Sequence, residues 1–529
     1  MSSHRRKVAC GLGLAAAASL LLPTAALAQD EPAPTAQSVS DGLAGLASQV
    51  DVFWILVSAV LVILMQVGFL FLELGFSRSK NVGAIVGKIL VNFSIATIAW
   101  WVCGFAIAFG GAAGFAGDSG FFFHVGQTIS TTSTDGAISA PYWASLPLLG
   151  DGAKVNGSTA AFFIFQLAFC AVSLAIVWGT TIERIKFSAY VIYGIVFAAV
   201  IYPLGAHWIF GSGFLGNGNL GKAIFGDDHP VALQDYAGST AVHLIGATGG
   251  LAALLHLGPR LGKYGKDGKP RAIPGHSMPF VGFAALFLLV GWFGFNAGSG
   301  LGLGAGDGNG DGRLNGFAEV AVVTLLAAAA GTLAASATVY LKTKTFDIGM
   351  SANGMIAGLV AITAPSGYVE YWAALPIGII AGIIVVFGVY AFDKKLDDPV
   401  GALSAHGLAG IWGTISCGLF TSKRLADFNA VGEAGLFQGG GVRQLIFQIV
   451  GVIIAFALVF SLSWITFFLI KKTIGLRVSE EDEKAGLDIS EHGMYGYPEQ
   501  FIPEAELVGA QYAATPSIVS STPSKEIKA

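Results

Sequence analysis

Two histidines, His243 and His406, each lie eight residues after an aspartate, Asp235 and Asp398, within long apolar stretches. Ionisable groups are costly in such stretches and mark sites where chemistry is done. A neutral imidazole offers one N–H donor and one bare acceptor nitrogen, and it can move a proton between them. Burial favours that neutral form. Two imidazoles side by side in a dry passage could therefore hydrogen-bond a small polar solute and relay its proton. A zinc site would need three or four ligands. Only one pair converges here, so no metal or other cofactor is expected. The second group is aromatic. Phe165 and Phe169 stand at i and i+4, on one helix face. The run Trp292-Phe293-Gly294-Phe295-Asn296-Ala297-Gly298-Ser299 adds more rings and a hydroxyl. Single aromatics in apolar helices are usually packing. In company with two histidines, these rings and Ser299 could form a cation site, a ring gate and a dry pore in series.

The elements that must hold these residues are membrane helices. Of 529 residues, 54% are apolar and 12% charged, about half the charged share of a soluble protein. The 73 glycines suit close helix packing in lipid, and a net charge of −4 gives no reason to expect nucleic acid. Eleven stretches approach the ~20 residues a bilayer requires: 52–76, 81–109, 158–180, 187–208, 235–257, 279–302, 316–341, 347–364, 370–392, 401–420 and 443–470. The expected fold is an all-α polytopic membrane protein. Its first ten spans form two five-helix halves, which an odd span count makes an inverted repeat with the site between them. His243 and His406 fall on spans 5 and 10, at matching places in the two halves. Alternate loops carry Arg78 and Lys80, Arg184 and Lys186, Arg260 to Arg271, Lys342 and Lys344, and Lys394 and Lys395. Those basic loops are expected inside, which puts the C-terminus in the cytoplasm of a protein of the cell's inner membrane.

Residues 1–28 read as a cleaved signal peptide: His4, Arg5, Arg6 and Lys7, an apolar run, then Ala26-Leu27-Ala28. Residues 29–50 form a short exported segment, 51–470 the membrane domain, 471–505 a cytoplasmic regulatory segment and 506–529 a disordered, Ser/Thr/Pro-rich end. Cys10, Cys103, Cys170 and Cys417 form no CxxC pair and read as structural thiols. The loop Asp307-Gly308-Asn309-Gly310-Asp311-Gly312 matches half of a calcium loop. Its twelfth position is Ala318, with Glu319 one residue late, so it reads as a solvated turn.

Seven motifs occur in order: Glu73 to Asn81, Phe165 to Phe169, Glu183-Arg184, Asp235 to His243, Trp292 to Ser299, Asp397-Asp398-Pro399 with His406-Gly407, and Gly486-Leu487-Asp488 with Glu491-His492-Gly493. With these the chain resembles the ammonium transporter family (Amt/Mep/Rh), bacterial Amt type, over roughly residues 50 to 500. The resemblance implies a transporter rather than an enzyme, a homotrimer in the lipid bilayer with one pore per protomer, and ammonium or ammonia as solute with methylammonium as analogue. It implies that His243 and His406 line the pore and that Phe169 and Phe295 are stacked gate rings. Phe165, Phe210, Trp292 and Ser299 would form the outer recruitment site, with Asp235 and Tyr202 supporting it. A PII-type signal protein would bind the cytoplasmic face. The sequence departs from the family pattern at Phe210, where Trp is usual, and at Met494, where an acid is common. The competing expectation is an ammonium sensor that signals through its tail and transports little.

Overall fold

The structure is a computed structural model that describes residues 35–111, 114–123, 159–302 and 316–501. The expected signal segment 1–28, the loop 307–312 and the end 506–529 lie outside the described residues. The chain divides into two units, Met1–Gln49 and Val50–Ala529. The first, where described, is helical.

The rest is a helical bundle. In chain order its long helices are α1 (Gln49–Phe76), α2 (Ser79–Phe109), α3 (Thr159–Thr181), α4 (Phe187–Ile209), α5 (Ser239–Leu257), α6 (Met278–Ala297), α7 (Gly316–Thr343), α8 (Ile348–Thr363), α9 (Tyr371–Asp393), α10 (Leu403–Leu408 running into Ala409–Phe420) and α11 (Arg443–Thr473). Nine of these, all but α8 and α10, are long and apolar enough to cross a membrane; α8 is a shorter apolar helix. Among the described residues there is no strand, only isolated bridges at Ile185–Arg477 and Tyr264–Pro270. The helices α3 and α5 are central, with 89% and 83% of their most apolar windows buried, against 33–56% for the other seven crossing helices. Outer helices turn large apolar side chains such as Leu90, Leu333 and Ile453 outward, as a bundle surrounded by lipid does.

Small residues let α7, α8 and α9 touch backbone to backbone. A Cβ on Gly358 would come 2.3 Å from the Ala327 carbonyl, and one on Gly382 2.3 Å from that of Gly331. Five helices also carry a wider π turn: α2 at Trp100–Gly104, α4 at Phe197–Ile201, α5 at Ser239–Leu244, α6 at Phe293–Ala297 and α10 at Leu403–Leu408. Such turns concentrate at functional sites because one extra residue re-aims the side chains of that turn. Three of the five contain His243, Phe295 and His406.

One end of the bundle is closed by charge. The Glu183 carboxylate accepts from the Arg78 backbone N–H at 2.6 Å and Nε at 2.8 Å, and pairs with Arg260 at 3.4 Å. Arg260 also holds Asp397 through its backbone N–H and Nε on Oδ2 and its terminal nitrogen on Oδ1, at 2.7–2.9 Å. Burial alone would raise both carboxyl groups, but Arg260 together with Arg78 outweighs it at Glu183, and Arg260 with Arg184 does so at Asp397, so both are held below the usual carboxylate range. The tail packs on this basic end. Lys186 N–H donates to Leu476 O and Val478 N–H to Arg184 O, at 3.0 and 3.1 Å. Further along, Leu487 N–H meets Asn81 Oδ1, Ala84 N–H meets Asp488 Oδ1 and Phe187 N–H meets Glu491 Oε2, each at 2.9 Å.

Candidate functional site

The two histidines are placed by the same local device. Before α5, Asp235 accepts the backbone N–H groups of Gly238, Thr240 and Ala241 at 3.0, 3.0 and 2.8 Å. Before α10, Asp398 accepts those of Gly401 and Leu403 at 3.1 and 2.8 Å. A helix start leaves its first N–H groups without partners, and an aspartate cap satisfies them. The glycine three residues after each aspartate takes positive φ, +113° at Gly238 and +76° at Gly401, which a side chain would resist. Each cap opens directly onto a π turn, and each π turn carries its histidine eight residues past the aspartate. The turns are fastened across helices. Ser239 Oγ donates to Val360 O at 2.7 Å, Ser173 Oγ to Val242 O at 2.8 Å, and the hydroxyls of Thr240 and Thr414 meet at 2.5 Å.

His243 and His406 then face each other, Nδ1 to Nδ1 at 3.2 Å, with rings 5.2 Å apart and 22° from parallel. Both are buried. A hydrogen bond between two Nδ1 atoms needs one hydrogen, so one ring donates and the other accepts. The donor ring is then left with a bare Nε2, and the acceptor ring, when neutral, carries its hydrogen on Nε2. The pair thus presents one acceptor and one donor. Nε2 of His243 has no partner among the described residues.

Next to the histidines are the rings. Phe295 lies 5.4 Å from His243 and 4.1 Å from Phe169, which lies 4.6 Å from Phe165. Phe169 and Phe295 meet edge to face at 82°. This is the arrangement ring quadrupoles favour. Beyond them a small cavity is lined by Phe165, Gln166, Phe169, Phe210, Tyr236, Ser299 and Leu301. Ser299 Oγ donates to Phe295 O at 2.8 Å, which leaves its lone pairs to accept from a cation. Trp292 is not in that cavity. It lies flat against His243 at 5.3 Å and 18°, with its Nε1–H on Thr363 Oγ1 at 2.9 Å. Tyr202 is also apart: buried against Trp100 and Phe197, with no hydrogen-bond partner on its hydroxyl among the described residues.

Sequence reasoning passed over Gln166 and Tyr236, although both stand inside quoted motifs. Gln166 is buried and its Oε1 has no partner among the described residues, so it offers an acceptor to this cavity. A polar residue between two aromatics of one span was the available signal. On the other side of the histidines a further cavity is lined by His406, Phe69, Glu73, Gly179 and Asn353 among others. No group of three or more His, Cys, Asp or Glu side chains that could hold a metal is found among the described residues.

A helical membrane bundle with a buried file of rings, paired histidines and flanking cavities defines a membrane protein built around a narrow passage. A sequence model of the Ammonium Transporter Family matches residues 53–497, and the chain belongs to that family, whose members are transporters rather than enzymes. It is 39% identical over 463 residues to ammonium transporter Amt2 of Archaeoglobus fulgidus, covering 87% of this chain and 90% of that one. It is 36% identical over 468 residues to Amt2 of Methanocaldococcus jannaschii, covering 88% and 95%. Among solved structures, a sensor Amt protein superposes with a TM-score of 0.70 at 31% identity, covering 84% of this chain and 99% of that one. Mep2 of Candida albicans superposes with a TM-score of 0.67 at 25% identity, covering 82% and 87%.

Proposed function

We propose that this chain carries ammonium inward by recruiting the cation at the aromatic cavity, excluding hydrated ions at Phe169 and Phe295, and passing ammonia along His243 and His406. The observation that carries the reading is the 3.2 Å Nδ1 contact of two buried histidines directly beside the perpendicular phenyl pair. Potassium resembles ammonium in size and charge but cannot shed a proton. An intact cation is expensive to bring into a dry apolar passage, whereas neutral ammonia can donate to the bare imidazole nitrogen and accept from the protonated one. The rings of Phe165 and Phe210 attract the cation at the entrance, and the oxygens of Ser299 and Gln166 accept its N–H groups. Trp292 acts as a wall that holds the plane of His243.

The same reading counts α8 and α10 as spans, giving eleven, with the Asp235–His243 and Asp398–His406 segments as the two halves of an inverted repeat. The protein assembles as a homotrimer in the inner membrane with its basic end inside, and a PII-type protein docks on that end. Uptake of labelled methylammonium into proteoliposomes, with and without competing ammonium, tests the function. Saturable uptake that ammonium suppresses and potassium leaves unchanged supports it. A protein that binds ammonium and moves none is a sensor.

A further inference from the structure

Glu73 and Lys88 are ionisable side chains buried inside the apolar helices α1 and α2. Glu73 of α1 is 1% exposed, and neither carboxyl oxygen has a hydrogen-bond partner among the described residues. Lys88 of α2 is 2% exposed, and its Nζ is likewise without a partner. A structural ion pair would have closed both vacancies by direct contact. The Glu73 carboxyl is instead turned to the cavity on the inner side of the histidines. Of the residues lining that cavity, only Glu73 and His406 can titrate. Gly179 keeps the approach open: a Cβ there would lie 3.7 Å from Glu73 Oε1 and strike Val400 at 2.9 Å. A buried carboxyl with no donor is among the more expensive groups a membrane protein can retain, and this one faces the exit of the passage.

We propose that Glu73 is the proton acceptor at the inner end of the passage, where the proton that ammonium gave up is returned to ammonia. The proposal rests on the transport reading above and extends it. The step balances. Ammonium breaks an N–H bond and gives its proton to the histidine pair. The imidazolium passes that proton to the Glu73 carboxylate, forming an O–H bond and restoring neutral imidazole. Ammonia reaching the inner cavity takes the proton back, leaving as ammonium and regenerating the carboxylate. Lys88 of α2 lies within electrostatic range of Glu73. Around Lys88 stand Glu183, Arg184 and Glu491 of the docked tail, and the Tyr190 hydroxyl, which donates to the Lys88 carbonyl at 2.5 Å.

The test uses the full chain in proteoliposomes, with charge movement on a solid-supported membrane and labelled methylammonium uptake measured in parallel across pH. Glu73→Gln is expected to lower the charge current by about a hundredfold, the lower end for a lost general acid–base group and well beyond any loss of methylammonium uptake, and to flatten its pH profile. Glu73→Asp is expected to restore part of both. A Glu73→Gln protein with the wild-type charge-to-uptake ratio and pH profile overturns the proposal. So does a proportional loss of charge and uptake that Glu73→Asp does not rescue, which marks a structural role. Should Glu73→Gln fail to fold, infrared difference spectra of the wild type labelled with 13C-glutamate decide the matter. An ammonium-dependent change in the labelled carboxylic-acid band supports the role, and none overturns it. Absence of methylammonium uptake by the wild type is a separate failure and refutes the transport reading itself.

Discussion

Replacing Asp235 by Ala removes the side chain that satisfies the start of α5. Three backbone N–H groups, on Gly238, Thr240 and Ala241, lose an ionised acceptor at 2.8–3.0 Å in a buried site. An unsatisfied buried donor costs about 1–3 kcal/mol. Partial re-pairing brings the total to roughly 3–5 kcal/mol, near the upper end of single-residue effects. Asp398→Ala removes two such bonds rather than three, so it costs less, about 2–3 kcal/mol. Asp235→Asn keeps one oxygen acceptor and falls between wild type and Asp235→Ala. The assay is thermal unfolding of the detergent-solubilised protein, with the three variants compared under one heating protocol, followed by methylammonium uptake for those that survive reconstitution. Uptake should fall with stability, because the cap sets the π turn that aims His243. An Asp398→Ala protein as unstable as Asp235→Ala would refute the scaling with bonds lost. A destabilised Asp235→Asn protein with undiminished uptake would refute the link between cap and histidine.

Phe210→Trp should lower the ammonium concentration that half-suppresses methylammonium uptake by roughly two- to fivefold, since Trp is the better cation–π face; an unaltered value would mean that Phe210 does not meet the cation. Stability should be flat near neutrality and fall as pH drops below about 4, because Glu183 and Asp397 have folded pKa values below their unfolded ones. Their contribution is full above the unfolded values and is lost as pH falls through the folded ones, and Asp397→Asn should shrink the acid-sensitive part of a melting-temperature series. A chain ending at Ala505 keeps every tail contact described here and should transport nearly normally. One ending at Arg477 loses those of Val478, Leu487, Asp488 and Glu491 and should be impaired; equal uptake by both would remove the tail from control of transport.

The sequence made the histidine pair legible because what places it is local. An aspartate, a glycine three residues on and a histidine eight residues on are all visible in one dimension, and the cap converts that spacing into geometry. The aromatic cavity was less legible, because it is assembled from four separate segments. Trp292 stands seven residues before Ser299 and was grouped with it, yet seven helical residues rise about 10 Å. That depth sets Trp292 beside His243 and below the cavity that holds Ser299. Whether Phe169 and Phe295 meet flat or edge-on depends on side-chain torsions no spacing encodes. Gln166 and Glu73 were read only as letters in motifs. Their unpaired oxygens emerge when every neighbouring donor is accounted for, which requires the packed bundle.

The meeting of the two histidines follows from where their caps lie. The Asp235 cap lies at one end of α5, and Arg260, just past the other end, binds Asp397 beside the second cap. The caps therefore open α5 and α10 from opposite ends of the bundle. Between each aspartate and its histidine only the last five residues are helical, so each histidine sits about one turn inside its helix start and the two meet from opposite ends. The repeat thus fixes depth, and residues outside the repeat fix direction. On the Asp235 side the passage opens onto rings and neutral oxygens, which suit a cation still carrying its charge. On the Asp398 side it opens onto Glu73, with Lys88 and the arginine cluster behind it, which suits a neutral base collecting a proton. On the transport reading proposed above, a symmetric pair of histidines set between unlike ends takes up its solute in one protonation state and restores it at exit, and no asymmetry in the histidines themselves is needed.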